Sequence, residues 1–141
     1  MIRYTTGDLF SSSAQVLVYP VSCRTAREGT EPGIRREDME AYLKAAKRGE
    51  ERLLFCDISR GGKNHTVCLF PVKDESDSSL KLSGIEEGLE DLVRRIIGRQ
   101  IQSAALPRIG CKGDGPEWDK IKPIMEKELL KLKSCDVEIY V

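Results

Sequence analysis

Short runs of β-branched and apolar residues alternate along the chain with longer amphipathic segments. The run from Gln15 to Val21 is almost wholly apolar, which is typical of a strand buried on both faces. Arg52 to Ile58 and Thr66 to Val72 also have the composition of strands, and the glycine-containing segment between them predicts a hairpin with a loose turn. Three further short runs are predicted to be strands: Ile2 to Thr5 at an edge, Ile101 to Leu106, and Val137 to Val141.

Three segments are predicted to be helices because their apolar residues recur at helical spacing. They run from Ile34 to Arg48, from Ser78 to Gly98, and from Glu117 to Lys133. We expect Asp77 or Ser78 to cap the second helix. Pro123 lies near the start of the third helix, where an irregular first turn would tolerate it.

Helices that alternate with buried strands predict a three-layer α/β/α sandwich with a mixed, mostly parallel central sheet. No repeat or linker interrupts the pattern, so we expect one domain over residues 1–141. Ligands of such sheets bind beyond the carboxyl ends of the strands. Three loops are therefore candidates for a site: Ser22 to Gly33, the turn after Lys73, and Arg108 to Gly115.

Composition narrows the functional classes. The 141 residues include 23 basic and 23 acidic side chains, and this balance disfavours tight non-specific binding to nucleic acid. No apolar run approaches the roughly 20 residues that a membrane-spanning helix needs. We therefore expect a soluble monomer in the cytoplasm, or in the cytoplasm and nucleus of a eukaryote, without a membrane partner.

The five cysteines do not form a pattern typical of a disulfide framework or a zinc site, because their number is odd and no C-x-x-C pair occurs. We expect no metal and no cofactor. Cys56, Cys68 and Cys135 are predicted to be buried, reduced thiols. The only histidine, His65, is predicted to lie at a turn or on the surface, which disfavours a Cys–His catalytic pair.

Three features could carry chemistry, and each has a structural alternative. The loop from Leu106 to Gly115 follows a strand and precedes a helix, so its backbone N–H groups could converge on a phosphate; its glycines could equally serve turn geometry alone. Lys73 ends a buried strand and could be a desolvated nucleophile or a solvated lysine. Asp8 could contact a ligand or accept backbone hydrogen bonds in a turn.

Taken together, four motifs resemble those of macrodomains. They are Gly7-Asp8-Leu9-Phe10, Val16 to Cys23, Phe70-Pro71-Val72-Lys73, and Ala105 to Cys111 with Asp114 and Trp118. Their order and spacing fit over essentially the whole chain, and P-R-I-G-C-x-x-D-x-x-x-W is the most restrictive part. The chain is most similar to the branch that contains the terminal ADP-ribose protein glycohydrolase and the DNA ADP-ribosyl glycohydrolase antitoxins.

This resemblance implies a pocket for ADP-ribose and roles for particular residues. Lys73 would attack the anomeric carbon of the distal ribose or stabilise charge there, and Asp114 would assist by general acid–base action. Asp8 would accept a hydrogen bond from the adenine amino group, with the Leu9 backbone beside it. The implied ligand-binding set is Asp8, Leu9, Ser22, Cys23, Gly33, Ile34, Arg108, Ile109, Gly110, Cys111, Lys112 and Gly113.

The first loop departs from the family pattern. Macrodomains of this branch have an asparagine near position 22 and a compact G-x-G-I-A segment, whereas this chain matches that segment only at Gly33-Ile34. Glu31 would repel a diphosphate unless its carboxylate pointed away. In the second loop, Lys112-Gly113 moves the glycine by one position, and the Lys112 charge could replace lost N–H contacts.

The leading functional hypothesis is an ADP-ribosyl hydrolase that removes mono-ADP-ribose from acidic protein side chains or nucleic-acid bases through Lys73 and Asp114. Its partners would be ADP-ribose and ADP-ribosylated protein or nucleic acid. The alternative from another class is a binding module that holds ADP-ribose, or a related nucleotide, without turnover. Two further readings are an enzyme acting on O-acetyl-ADP-ribose or ADP-ribose 1″-phosphate, and a macrodomain that serves only protein interaction.

Overall fold

The computed structural model describes residues 1–21, 35–47, 53–60, 62–72, 81–111 and 115–141. The strands are β1 Ile2–Thr5, β2 Val16–Val21, β3 Leu54–Arg60, β4 Lys63–Pro71, β5 Ser103–Pro107 and β6 Asp136–Tyr140. The helices are α1 Arg36–Lys47, α2 Leu82–Gly98 and α3 Trp118–Leu129, and a 3-10 turn spans Leu9–Ser11.

The described strands form one six-stranded sheet in the order β1-β6-β5-β2-β4-β3. Every neighbouring pair is parallel except β3 and β4, which form an antiparallel hairpin at one edge. The sheet is therefore mixed and mostly parallel, and β1 lies at an edge, both as the sequence predicts. The hairpin is tighter than predicted, because the ladder continues until Arg60 lies opposite Lys63.

Alternate side chains of the central strands point to opposite faces, and each face has its own core. On β2, Val16 and Val18 belong to one core and Leu17 and Val21 to the other. On β4, Cys68 and Phe70 separate from Val67 and Leu69 in the same way. This period of two explains why the strands read as unbroken apolar runs: both of their faces are buried.

Helices cover both faces of the sheet. Ile85 and Leu89 of α2 and Ile121 of α3 pack in the core that contains Val16, and we call this side the α2/α3 face. Met39 and Tyr42 of α1 pack in the other core, on the α1 face. These three layers confirm the predicted α/β/α architecture.

Helix boundaries differ from the predictions. Helix α2 begins at Leu82, and its cap position is an extended Lys81 that makes no side-chain capping bond. Asp77 and Ser78, where the sequence predicts the cap, lie outside the described residues. Pro123 is the sixth residue of α3 rather than part of its first turn. It is exposed, and the fourth residue before it, Asp119, is also exposed, so water can satisfy the carbonyl that loses its partner.

Further findings concern the cysteines, the histidine and the membrane. Cys56, Cys68 and Cys135 are buried free thiols, as predicted. His65 is not in a turn: it lies within β4, half-buried, with its ring edge-on to Phe10 at 5.7 Å between centroids. Among the helices in the described part of the chain, none is long and apolar enough to cross a bilayer.

Candidate functional site at the carboxyl edge of the sheet

Five parallel strands end at the same edge of the sheet, which we call the carboxyl edge. Their last residues are Thr5, Val21, Pro71, Pro107 and Tyr140. The pairing of β2 with β4 continues to the very end of both strands, because Val72 donates its N–H to the Val21 carbonyl at 3.1 Å. Half-buried Val72 directly precedes Lys73 in the chain, and Val21 directly precedes Ser22. Two predicted site segments therefore leave the sheet from adjacent strands.

The carboxyl edge contains a topological switch point between β2 and β5. These neighbouring strands pair in parallel through Leu17 and Ala105. The chain after β2 leads to α1 on one face of the sheet, whereas the chain after β5 leads to α3 on the other. Diverging connections open a crevice between the strand ends, and open α/β sheets bind their ligands in such crevices.

The loop after β5 is held against the α2/α3 face. The side chain of Ile109 is fully buried in that core, so only its backbone can reach a ligand. Gly110 adopts a φ of +76°, a left-handed conformation that favours glycine. Its backbone contacts the first turns of the two helices, since a Cβ there would lie 2.9 Å from Ile85 Cδ1 and 3.7 Å from Ile121 Cδ1. Helices α2 and α3 therefore both present their N-terminal ends beside this loop, where their dipoles favour negative groups.

Arg108 and Trp118 flank the loop after β5. Arg108 is exposed, and its guanidinium carbon lies 6.0 Å from the centroid of the half-buried Trp118 ring at the start of α3. An exposed guanidinium at this position can approach a phosphate oxygen without leaving the aromatic ring. Cys111 is half-buried, with its Sγ 3.7 Å from the Ile109 carbonyl oxygen.

Asp8 lies in the turn that follows β1. Its Oδ1 accepts a hydrogen bond from the Phe10 N–H at 3.1 Å, so the structural role that the sequence offered for Asp8 is present. The side chain is exposed, and its other oxygen accepts no hydrogen bond from the described residues. The Phe10 ring lies 5.7 Å from the Tyr19 ring of β2, so the turn after β1 reaches across the α1 face to the central strands. A ligand contact by Asp8 or by half-buried Leu9 stays a prediction.

Eight of the predicted site residues lie outside the described residues. They are Ser22, Cys23, Gly33, Ile34, Lys73, Lys112, Gly113 and Asp114. Their chain neighbours at Val21, Val72, Cys111 and Gly115 all belong to segments that end or begin at the carboxyl edge. The catalytic pair Lys73 and Asp114 therefore stays a prediction. The strands that precede these two residues, β4 and β5, lie on either side of β2.

The described cysteines are poorly suited to nucleophilic chemistry. Burial raises the pKa of the Cys68 thiol to about 12 and that of Cys56 to about 11, so both are protonated at neutral pH. Burial also raises the pKa of Cys111, against an opposing effect of Arg108. Since the thiolate is the reactive form, these thiols serve packing better than catalysis.

One group of carboxylates within the described segments has metal-ligand spacing. Single oxygens of Glu86, Glu90 and Glu128 lie within 4.8 Å of one another where α2 packs against α3. Lys131 donates to both oxygens of buried Glu128 at 2.8 and 2.9 Å, and Lys127 donates to Glu86 at 3.0 Å. These ammonium groups already supply the positive charge that a cation would bring, so the cluster is an ion-pair network between helices.

Ile85 is the residue at this site that the sequence does not single out. It belongs to the apolar stripe of α2, and in the sequence it is indistinguishable from the other residues of that stripe. Its contact with Gly110 depends on how α2 docks against the loop after β5, which no local pattern encodes.

Comparison with known proteins identifies relatives of the whole chain. No family model matches it. A DNA ADP-ribosyl glycohydrolase of Mycobacterium tuberculosis is 32% identical over 148 residues, covering 99% of this chain and 42% of that protein. A DNA ADP-ribosyl glycohydrolase of Thermus aquaticus is 28% identical over 147 residues, covering 99% of this chain and 41% of that protein. The chain thus spans less than half the length of these curated relatives.

Solved structures show the same similarity. The macrodomain of Mycobacterium tuberculosis DarG superposes with a TM-score of 0.78 at 29% identity, covering 99% of this chain and 97% of that one. The macrodomain of Thermus aquaticus DarG gives a TM-score of 0.77 at 26% identity, covering 100% and 98% of the two chains. Thermosipho africanus DarTG in complex with ADP-ribose shares the fold, with a TM-score of 0.75 at 24% identity over 99% of this chain and 41% of that one. The chain therefore has the macrodomain fold and is similar over its whole length to the macrodomains of the DarG proteins.

Proposed function

We propose that this chain is an ADP-ribosyl glycohydrolase domain that binds ADP-ribose at the carboxyl edge and releases mono-ADP-ribose from a modified acceptor. The observation that carries the proposal is the switch point between β2 and β5, where the loop from Arg108 to Gly115 follows a buried strand. The relatives that align over 99% of this chain bear the name DNA ADP-ribosyl glycohydrolase, and this favours a nucleic-acid base over an acidic side chain as the acceptor.

Lys73 and Asp114 would divide the chemistry between them. Lys73 follows the end of β4, and Asp114 belongs to the loop after β5. The two residues therefore follow strands that lie on either side of β2. An amine at Lys73 would attack or electrostatically stabilise the anomeric carbon of the distal ribose as its bond to the acceptor breaks. A carboxylate at Asp114 would move the proton that ring opening and resolution require. The net reaction adds one water across the glycosidic bond and yields ADP-ribose and the unmodified acceptor.

The described part of the loop after β5 would hold the diphosphate. The left-handed Gly110 turns the backbone close to the helix N-termini, and exposed Arg108 adds a positive charge. Asp8 would accept a hydrogen bond from the adenine amino group with the oxygen that Phe10 does not use. Ile109 and Cys111 would contribute backbone contacts, because Ile109 is buried and Cys111 is half-buried.

The test is the rate of ADP-ribose release from an ADP-ribosylated single-stranded DNA oligonucleotide, measured in single-turnover experiments. We expect Lys73→Ala and Asp114→Ala each to lower the rate by about a hundredfold or more, as is usual for a lost nucleophile or general acid–base. An ADP-ribosylated glutamate peptide run in parallel distinguishes the two acceptor classes.

Matched controls come from the amino ends of the strands, at the opposite end of the sheet from the carboxyl edge. Lys63 begins β4, the strand whose end precedes Lys73, and Asp136 begins β6; both side chains are exposed. Lys63→Ala and Asp136→Ala should keep the wild-type rate. Rates that stay unchanged in both Lys73→Ala and Asp114→Ala would rule out this mechanism.

The second candidate is a module that binds ADP-ribose without turnover. It is favoured by the departures of the Arg24 to Ile34 segment from the family pattern, a segment outside the described residues. Saturable binding with no released product from either substrate would establish it in place of the hydrolase.

A further inference from the structure

The backbone of the loop after β5 rests directly on a side chain of α2. Gly110 has no Cβ, and one built there would lie 2.9 Å from Ile85 Cδ1 and 3.5 Å from Ile85 Cγ1. The first distance is shorter than any Cβ contact that a folded protein tolerates without movement. The loop and α2 are therefore packed together as closely as a glycine allows.

Two consecutive residues fix the loop at this point. The Ile109 side chain is buried with 0% exposure, and the adjacent Gly110 turns the chain with a φ of +76°. Ile85, the fourth residue of α2, is itself 0% exposed. The backbone that continues toward Cys111 thus passes directly over the buried Ile85 side chain.

This contact connects the two chain segments that lead to the predicted catalytic residues. Helix α2 is the first described element after Lys73, and Gly110 lies four positions before Asp114. We propose that Ile85 is a positioning residue. Its packing beneath Gly110 sets the backbone geometry of residues 108–111 in the loop after β5, and thereby the affinity for ADP-ribose. The ligand in this inference rests on the proposed function.

The decisive experiment is a rescue between two substitutions. Gly110→Ala introduces a Cβ against Ile85 and places an L-residue at positive φ, so we expect ADP-ribose binding by calorimetry to weaken about tenfold or more. Ile85→Val deletes Cδ1, the atom that such a Cβ meets first. In the double variant Gly110→Ala/Ile85→Val, affinity should recover several-fold, although the backbone strain at residue 110 persists.

Ile96→Val is the matched control. Ile96 lies near the other end of α2 and is 1% exposed, so the substitution deletes the same methyl group from the same helix without touching the loop. Gly110→Ala/Ile96→Val should bind as weakly as Gly110→Ala. The inference is overturned if Gly110→Ala binds normally, or if both double variants bind equally.

A second pair of variants covers the case in which Gly110→Ala does not fold. Ile85→Ala removes the support from beneath the loop, and Ile96→Ala truncates the same helix elsewhere. We expect Ile85→Ala to weaken ADP-ribose binding about tenfold while Ile96→Ala lowers the melting temperature without a comparable loss of affinity. Equal losses of affinity in the two variants would show that Ile85 acts only on stability.

Amide hydrogen exchange separates this inference from the proposed function. A wild-type protein that binds no ADP-ribose would contradict the proposed function alone. In that case, faster exchange of residues 106–111 in Gly110→Ala, reversed by Ile85→Val and not by Ile96→Val, still supports the positioning role. Exchange that is unaffected by Gly110→Ala overturns it.

Discussion

Backbone direction, more than charged side chains, shapes the part of the candidate site that the structure describes. Among the described positions, Gly110 turns the loop, Ile109 anchors it in the core, and Asp8 already accepts a hydrogen bond within its own turn. Of the predicted ligand-binding residues that the structure describes, Arg108 is the one basic side chain, and it is exposed. Phosphate recognition here would therefore depend on N–H groups and helix N-termini, with Arg108 in a supporting role.

Cys111 is the more accessible thiol, because it is half-buried in this loop while Cys56, Cys68 and Cys135 are buried. We expect iodoacetamide to alkylate Cys111 faster than these three thiols. Its rate should increase with pH above neutrality, since burial raises the pKa of its thiol and only the thiolate reacts. Peptide mass spectrometry measures each cysteine separately, so Cys68 serves as an internal control. ADP-ribose should slow the labelling of Cys111; labelling that is indifferent to saturating ligand would place the pocket elsewhere.

The sequence predicts the types of residue at the site better than their contacts. The restrictive motif from Pro107 to Trp118 marks the loop, and its position at the carboxyl end of β5 is confirmed. The support by Ile85 is not predictable, because nothing local distinguishes one isoleucine of an apolar stripe from another. The sequence predicts His65 at a turn or on the surface, whereas in the structure it is a half-buried residue of β4. Its aromatic partner Phe10 comes from a distant part of the chain.

Among the secondary-structure elements, α2 packs closely against the sheet at a second glycine, Gly88. A Cβ on Gly88 would lie 2.6 Å from Cζ of the fully buried Phe70 on β4. The short distance between α2 and Phe70 at this point therefore depends on the absence of a side chain at Gly88. That approach brings the first turn of α2, with Ile85, to the loop after β5.

Gly88→Ala tests this close packing of α2 against β4. In an exposed helix, replacing glycine by alanine stabilises by about 1 kcal/mol. Here we expect the opposite sign, a loss of about 1 to 3 kcal/mol, because the added methyl overpacks the core. Gly98→Ala is the control, since a Cβ on this last residue of α2 meets nothing within 4 Å. The melting temperature should fall in Gly88→Ala and be maintained or raised in Gly98→Ala; a rise in both would contradict the close packing.

Element types follow from the sequence because the central strands are buried on both faces and the helices on one. Boundaries follow less well. Helix α2 starts at Leu82, later than the sequence predicts, and Lys81 at its cap position makes no side-chain capping bond. Packing of Leu82 and Ile85 against the core, rather than a capping bond worth about 1 kcal/mol, stabilises this first turn.

For the molecule as a whole, the sheet topology places a switch point where the proposed function requires a ligand to bind. Strand β2 is central, with β5 on one side and β4 on the other, and the connections after β2 and β5 pass to opposite faces. The sequence predicts the layers from alternation alone. The order of strands in the sheet depends on contacts between distant parts of the chain, so the hydrophobic pattern does not predict it.

Calorimetric titration of the purified protein with ADP-ribose, with AMP and ADP as controls, shows whether the proposed pocket exists. The proposed pocket predicts saturable one-to-one binding that prefers ADP-ribose over both controls, because the distal ribose would contact the segments that carry Lys73 and Asp114. No binding at millimolar ADP-ribose would contradict the account. The fold would then serve another ligand or a protein partner.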